Sequence, residues 1–264
     1  MNKTAAIVLL CTLLVILELY SVVSFKANEA QFKMRINERG TRFTEKIRVN
    51  EIENTILFTV PKHNNVNRSE VLNDFKLGLT ITRVPDVGMC HIKPLEKNLP
   101  NPGKLKADMN FIKHFNISGG KPVVSTSSSK WTIDRQLETK YLKPSVAKFC
   151  GDLPVYSLKE ITENGLEVMQ GNDTGSRRQR RGLTIQLCPE ALSGVKNQKM
   201  ICNPNHWIWN CKFDVAGTCV YFMKCKVPAE FIKNNITNCE FTHRWNSVMC
   251  CIPICSSGVV TRQN

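Results

Sequence analysis

The chain has 264 residues, 42% of them hydrophobic and 22% charged; this is ordinary globular composition and excludes wholesale disorder, a collagen repeat and a multi-pass membrane protein. Lysine and arginine outnumber the acids by 36 to 22, a formal charge of +14, so binding to nucleic acid has to be considered first. The sequence offers no single stripe that carries the excess: Lys26 to Arg181 holds 27 basic and 17 acidic residues, and Gly182 to Asn264 holds eight and four. No nucleic-acid partner is expected.

Met1-Asn-Lys3 precedes an unbroken apolar run from Ala5 to Leu17. Thirteen residues is the length of a signal-peptide core and too short to span a bilayer. Residues 1–25 are therefore read as a signal peptide, with Val22 and Ser24 as the small residues before a cut near Phe25. The alternative is an uncleaved anchor over Ala5 to Phe25, giving a single-pass type II membrane protein if Glu18 is tolerated. Residues 26–49 are expected to be a linker. In an oxidising lumen, disulfides become the default state of cysteine. There Asn67, Asn116, Asn172 and Asn235, each in an Asn-X-Ser/Thr motif, become glycosylation candidates.

From Ile52 the text turns strand-like. Asn54 to Val60, Glu70 to Phe75, Gly78 to Val84 and Met89 to Leu95 are short runs rich in β-branched and aromatic residues. Leu105, Met109 and Ile112 share one helical face between Lys104 and His114. Ser125 to Ser129 reads as a loop, Tyr141 to Cys150 as a second helix with Pro144 near its first turn, and Leu153 to Leu158 as a closing strand. The expected fold is α+β: a five-stranded sheet with two flanking helices, plus a small disulfide-rich C-terminal domain.

The order Val71-Leu-Asn-Asp74-Phe75, Gly78 to Pro85, Cys90-His-Ile and Phe149-Cys150-Gly-Asp-Leu-Pro-Val-Tyr156 resembles the BRICHOS domain family over residues 50–160. That family is marked by one aspartate and two cysteines, matched here by Asp74, Cys90 and Cys150. The resemblance implies a Cys90–Cys150 disulfide closing a loop of about 60 residues and stabilising the fold by a few kcal/mol. It also implies a precursor layout, nearest to that of the chondromodulin, tenomodulin and Bri-type precursors, in which the domain acts as an intramolecular chaperone for a β-prone C-terminal segment. Asp74 is either a residue near a turn or, on the family reading, a buried or half-buried carboxylate whose protonation alters conformation or assembly.

Residues 161–181 read as a linker, because Gln170 to Ser176 is small, polar and free of aliphatic side chains. It ends in Arg177-Arg178-Gln-Arg180-Arg181. Furin-type proprotein convertases have an acidic slot, and Arg178, Arg180 and Arg181 present guanidinium groups at the needed spacing, so cleavage is expected between Arg181 and Gly182.

Residues 182–264 carry Cys188, Cys202, Cys211, Cys219, Cys225, Cys239, Cys250, Cys251 and Cys255. No CxxC pair is present and His206 and His243 lack ligand spacing, so no metal is expected and a disulfide scaffold is. An odd count leaves one free thiol or one bridge between two chains, and the pairing stays open. His206-Trp-Ile-Trp209 and Thr218 to Met223 combine β-propensity with aromatic bulk and no internal acid, with Lys224 and Lys226 as gatekeepers. Each is a self-pairing client strand or a plain core strand.

The first functional expectation is a secretory proprotein releasing an extracellular binding or signalling factor for an unidentified receptor. The second is a membrane-active host-defence precursor, for which eight basic residues against four acidic ones is a thin supply of charge. A secreted enzyme is the third; no GxSxG, HExxH or paired-carboxylate constellation suggests one, and no cofactor is expected.

Overall fold

The computed structural model describes residues 29–114, 123–161, 207–212, 217–226 and 239–255. In chain order the elements are β1 (Glu29–Glu38), β2 (Thr41–Asn50), β3 (Thr55–Val60), β4 (Ser69–Asp74), β5 (Leu79–Val84), β6 (Met89–Pro94), α1 (Pro102–His114), β7 (Val123–Leu137), a 3-10 turn (Thr139–Tyr141), α2 (Pro144–Cys150), β8 (Val155–Glu160), β9 (Trp207–Lys212), β10 (Thr218–Cys225) and β11 (Cys239–Cys255). Hydrogen-bonded neighbours run β1-β2-β3-β4-β5-β6-β8-β7-β11-β10, and β9 pairs with the far half of β11.

Strands β3, β4, β5, β6 and β8 and both helices coincide with the expected segments, but the sheet is about twice as wide as expected. Residues 26–49 are not a plain linker, because β1 and β2 form a hairpin. Phe32 and Met34 on one strand and Ile47 and Val49 on the other are buried, while their neighbours in sequence face solvent. Arg39 and Gly40, both at positive φ, close it, the geometry of a two-residue hairpin turn whose twist matches the strands. Ser125 to Ser129 is not a loop but lies inside β7. The described part of the C-terminal region is not separate from this sheet: β11 continues it, parallel to β7 from Glu240↔Val123 to Met249↔Thr132.

The helices start where the local chemistry dictates. Asn101 Oδ1 accepts the Lys104 N–H at 2.8 Å, capping α1, and proline opens both helices. The sheet coils so that its two ends meet. Phe32, Ile47, Val49, Ile56 and Phe58 pack in one buried cluster with Leu105 and Met109 of α1 and with Val220, Phe222 and Met223 of β10. The Phe58 and Phe222 rings lie 6.1 Å apart, near the favourable range for aromatic pairs. A separate cluster under α2 joins Ile81, Cys90, Ile92, Val146, Cys150 and Val155.

Candidate functional site

The most unusual chemistry in the fold lies where β10 and β11 meet the rest of the sheet. β7 offers β11 a run of serines, which cannot set a register by burying apolar surface. A polar ladder stands in its place. Ser125 Oγ donates to Thr242 Oγ1 at 3.4 Å, Arg244 Nε donates to Ser127 Oγ at 3.4 Å, and Ser129 Oγ donates to Asn246 Oδ1 at 2.8 Å. Thr242, Arg244 and Asn246 alternate along β11 and are all buried. From β6, Lys93 Nζ donates to Asn246 Oδ1 and to Glu96 Oε1, 2.6 Å each, and it sits 4.5 Å from the centre of the Trp131 ring. Glu96 pairs through its other oxygen with Arg244 at 2.7 Å. One carboxylate thus bridges a cation from each side of the junction. Burial pushes the Lys93 ammonium down and the Glu96 charge opposes that shift.

The outer edge of β10 is closed by carboxylates rather than by another strand. Glu45 on β2 accepts the Tyr221 N–H at 3.0 Å, and Asp108 on α1 accepts the Cys225 N–H at 3.1 Å. Lys104 neutralises Asp108 at 3.1 Å and also donates to the Cys225 carbonyl at 2.8 Å. Two otherwise unpaired groups of an edge strand are thereby satisfied, which blunts the edge against self-association. Beside them Cys219 Sγ approaches His63 Nε2 at 3.7 Å, while His63 Nδ1 bonds the Pro61 carbonyl at 2.8 Å. Phe43 stacks on His63 and Tyr221 on His243, with centroids 3.7 and 4.6 Å apart. Among the described residues Cys219 is a free thiol. Burial pushes it up to about 12, so it is packed and unreactive rather than a nucleophile.

Two buried groups give the fold opposed responses to pH. Glu45 is fully buried and its carboxyl is held well above the usual range by desolvation, partly offset by the Tyr221 N–H. Its contribution is full below the unfolded value of about 4.3 and is lost as pH rises through the folded one. His91 has no hydrogen-bond partner on either ring nitrogen. Desolvation first, then the Lys93 charge, lowers it to about 3. Its contribution is present above about 6.5 and fades as pH falls, amounting to about 2 kcal/mol lost by pH 5. Urea denaturation between pH 7 and 5 should therefore show a shallower acid loss in His91→Leu and a steeper one in Glu45→Gln. Parallel curves for all three proteins would contradict this assignment.

The predicted site residues fare unequally. Cys90 and Cys150 are bonded and buried, joining β6 to the last residue of α2, and Cys225 and Cys239 are bonded at the loop end of the β10–β11 hairpin. In the β9–β11 register Cys211 stands opposite Cys251, Lys212 opposite Cys250 and Trp207 opposite Cys255. Asn67 is half-buried in the connection before β4. The signal segment, Arg178, Arg180, Arg181, Gly182, Asn116, Asn172, Asn235, Cys188 and Cys202 lie outside the described residues.

Asp74 is half-buried at the end of β4, and its Oδ1 accepts the N–H of Lys76 at 2.9 Å and of Leu77 at 2.8 Å. It ties the turn that Gly78 completes at φ +65. An amide oxygen can accept the same two bonds. Thermal denaturation should show Asp74→Asn near the parent and Asp74→Ala lower by about 1–2 kcal/mol; equal losses would point to the charge instead of the turn.

Glu45, His63, Lys93, Glu96, Asp108 and Arg244 were not singled out from the sequence. The one legible signal was the alternation Thr242-His-Arg244-Trp-Asn246, polar on one face at strand period.

Residues 65–157 match the family model of the BRICHOS domain. The chain carries a BRICHOS domain. The chain matches no curated protein and no solved structure. Within this chain the matched span runs from just before β4 into β8 and includes Asp74, Cys90, Cys150 and the serine-bearing β7; the β1–β2 hairpin, β3, β10 and β11 extend its sheet on both sides. The BRICHOS domain and the disulfides are consistent with passage through the secretory pathway. No helix among the described residues is long and apolar enough to cross a membrane.

Proposed function

We propose that the chain is a secretory proprotein whose BRICHOS domain acts as an intramolecular chaperone, holding the β10–β11 hairpin as added strands of its own sheet. A furin-type convertase then cuts between Arg181 and Gly182 and frees residues 182–264 as an extracellular binding or signalling factor. The observation that carries this reading is the ten-residue parallel pairing of β11 with β7, with the carboxylates of Glu45 and Asp108 on the far edge of β10. A strand held on both sides has few free backbone groups with which to pair elsewhere.

The need for such holding follows from timing. Disulfides form over seconds to hours, and until then Thr218 to Met223 is an exposed aromatic β-segment. A tethered sheet edge is present at about millimolar effective concentration throughout that wait. The test is expression of residues 182–264 behind a signal sequence, with and without residues 26–161 supplied in trans; the β1–β2 hairpin is included because Glu45 and Phe43 contact β10. Alone, the piece should aggregate or mispair its cysteines, and the domain should restore soluble protein carrying Cys225–Cys239. Equal yields with identical disulfide maps would sink the client relation. In the full chain, Arg178→Ala with Arg181→Ala should leave one unprocessed species, and an unprocessed wild type in convertase-competent cells would remove the cleavage step.

A further inference from the structure

The β1–β2 hairpin brings five of the 36 basic residues, separate along the sequence, onto one face. Its buried face carries Phe32, Met34, Glu45, Ile47 and Val49; its solvent face carries Gln31, Lys33, Arg35 and Asn37 on β1 and Arg42, Thr44, Lys46 and Arg48 on β2. That face holds five cations and one acid, Glu29 at the first position of β1. Lys33 stands directly opposite Lys46, Arg35 lies diagonal to both Lys46 and Arg42, and Lys33 is diagonal to Arg48. Like charges facing each other across strands are destabilising, so the arrangement works against the hairpin's own stability. Nearby acids are largely engaged elsewhere. Glu70, two strands away, pairs with Arg83 at 3.1 Å, and only Glu29 reaches the face, 3.6 Å from Arg48 at its end.

Protection of an exposed sheet edge calls for charge on β1 alone. β2 is paired on both sides, by β1 and β3, yet contributes three of the five cations. A groove of about 340 Å³ lies beside the row between Arg35 and Arg42, whereas the larger cleft of about 740 Å³ is lined mainly by Phe32, Met34, Ile47, Met109, Met223 and Phe241 and belongs to the apolar side of the hairpin. From Arg42 to Arg48 the row extends about 20 Å at the rise of a strand. None of the exposed large hydrophobic residues, Ile52, Val124 and Tyr141, lies on this face, so it has no apolar group to insert into a lipid surface.

We propose that the solvent face of the β1–β2 hairpin binds a linear sulfated polysaccharide, with Lys33, Arg35, Arg42, Lys46 and Arg48 as the contacts. A long row of cations with a single acid at its end suits an extended polyanion, and binding would be driven by displacement of counterions. The site lies on the opposite face of the hairpin from Glu45 and does not depend on the chaperone reading.

The test uses the intact chain on immobilised heparin, with affinity measured against salt. Lys33→Gln, Lys46→Gln and Arg48→Gln together should weaken binding at least tenfold and reduce the log–log salt slope by roughly three. Arg35→Gln with Arg42→Gln should reproduce the effect on a smaller scale, guarding against one misfolded variant. Lys62→Gln, Lys97→Gln and Lys148→Gln remove the same net charge from exposed positions elsewhere and should leave the affinity within about twofold. Equal losses in the hairpin and control variants would reduce the effect to net charge and overturn the proposal. So would binding to phosphatidylserine vesicles with none to heparin.

Discussion

Cys150→Ser is expected to lower the stability of the folded chain by about 4 kcal/mol, because the Cys90–Cys150 bond closes a 60-residue loop and its removal returns that loop's freedom to the unfolded chain. Packing adds to the loss. Both sulfurs sit in the apolar cluster of Ile81, Ile92, Val146 and Val155, where a serine hydroxyl finds water on no side. The bond also fastens α2 to β6, on which Lys93 is held. Cells expressing Cys90→Ser or Cys150→Ser should retain the protein in the endoplasmic reticulum. Secretion of either variant with the parent's urea midpoint, or peptide mapping that finds both thiols free in the secreted wild type, would contradict the assignment.

The second large effect is at Glu96. With Lys93 and Arg244 both paired to it, Glu96→Gln leaves two cations in a largely buried junction with neutral contacts and the charge of Glu160 acting on Lys93, and about 3 kcal/mol should be lost. The diagnostic is recovery. Glu96→Leu combined with Lys93→Met and Arg244→Met removes these three charges at once, and most of the lost stability should return, since replacing a whole buried ionic group by apolar side chains is often neutral or better. Denaturation of the single and triple variants measures this directly. A triple variant no more stable than Glu96→Gln alone would show that the three residues do not act as a unit.

What could be read from the sequence depended on how local the signal was. The strands β3 to β6 and β8 announce themselves by β-branched runs between turns, and α1 by Leu105, Met109 and Ile112 on one face. The β1–β2 hairpin carried an equally local alternation, with Phe32 and Met34 between Lys33 and Arg35 and with Ile47 and Val49 around Arg48; its charged face made the segment look like solvated linker. β7 was lost for a different reason. Ser125 to Ser129 has the composition of a loop, and only Thr242, Arg244 and Asn246, 117 residues further on, make it a strand. Glu45 and Asp108 were hidden in the same way: a carboxylate that accepts a backbone N–H from a distant strand leaves no trace in its own neighbourhood. Asp74 was visible as a residue near a turn, and its bonds to the N–H groups of Lys76 and Leu77 give that position a physical role without appeal to titration.

The central claim is that β11 is a guest strand of the BRICHOS sheet, and amide hydrogen exchange on the intact secreted chain tests it most directly. If the claim holds, amides within Glu240 to Met249 exchange as slowly as those of β5 and β6, and substituting Glu96 by Gln accelerates Glu240 to Met249 well before β5 or β6. Exchange of Glu240 to Met249 at the rate of an unpaired chain, while β5 and β6 stay protected, would contradict it.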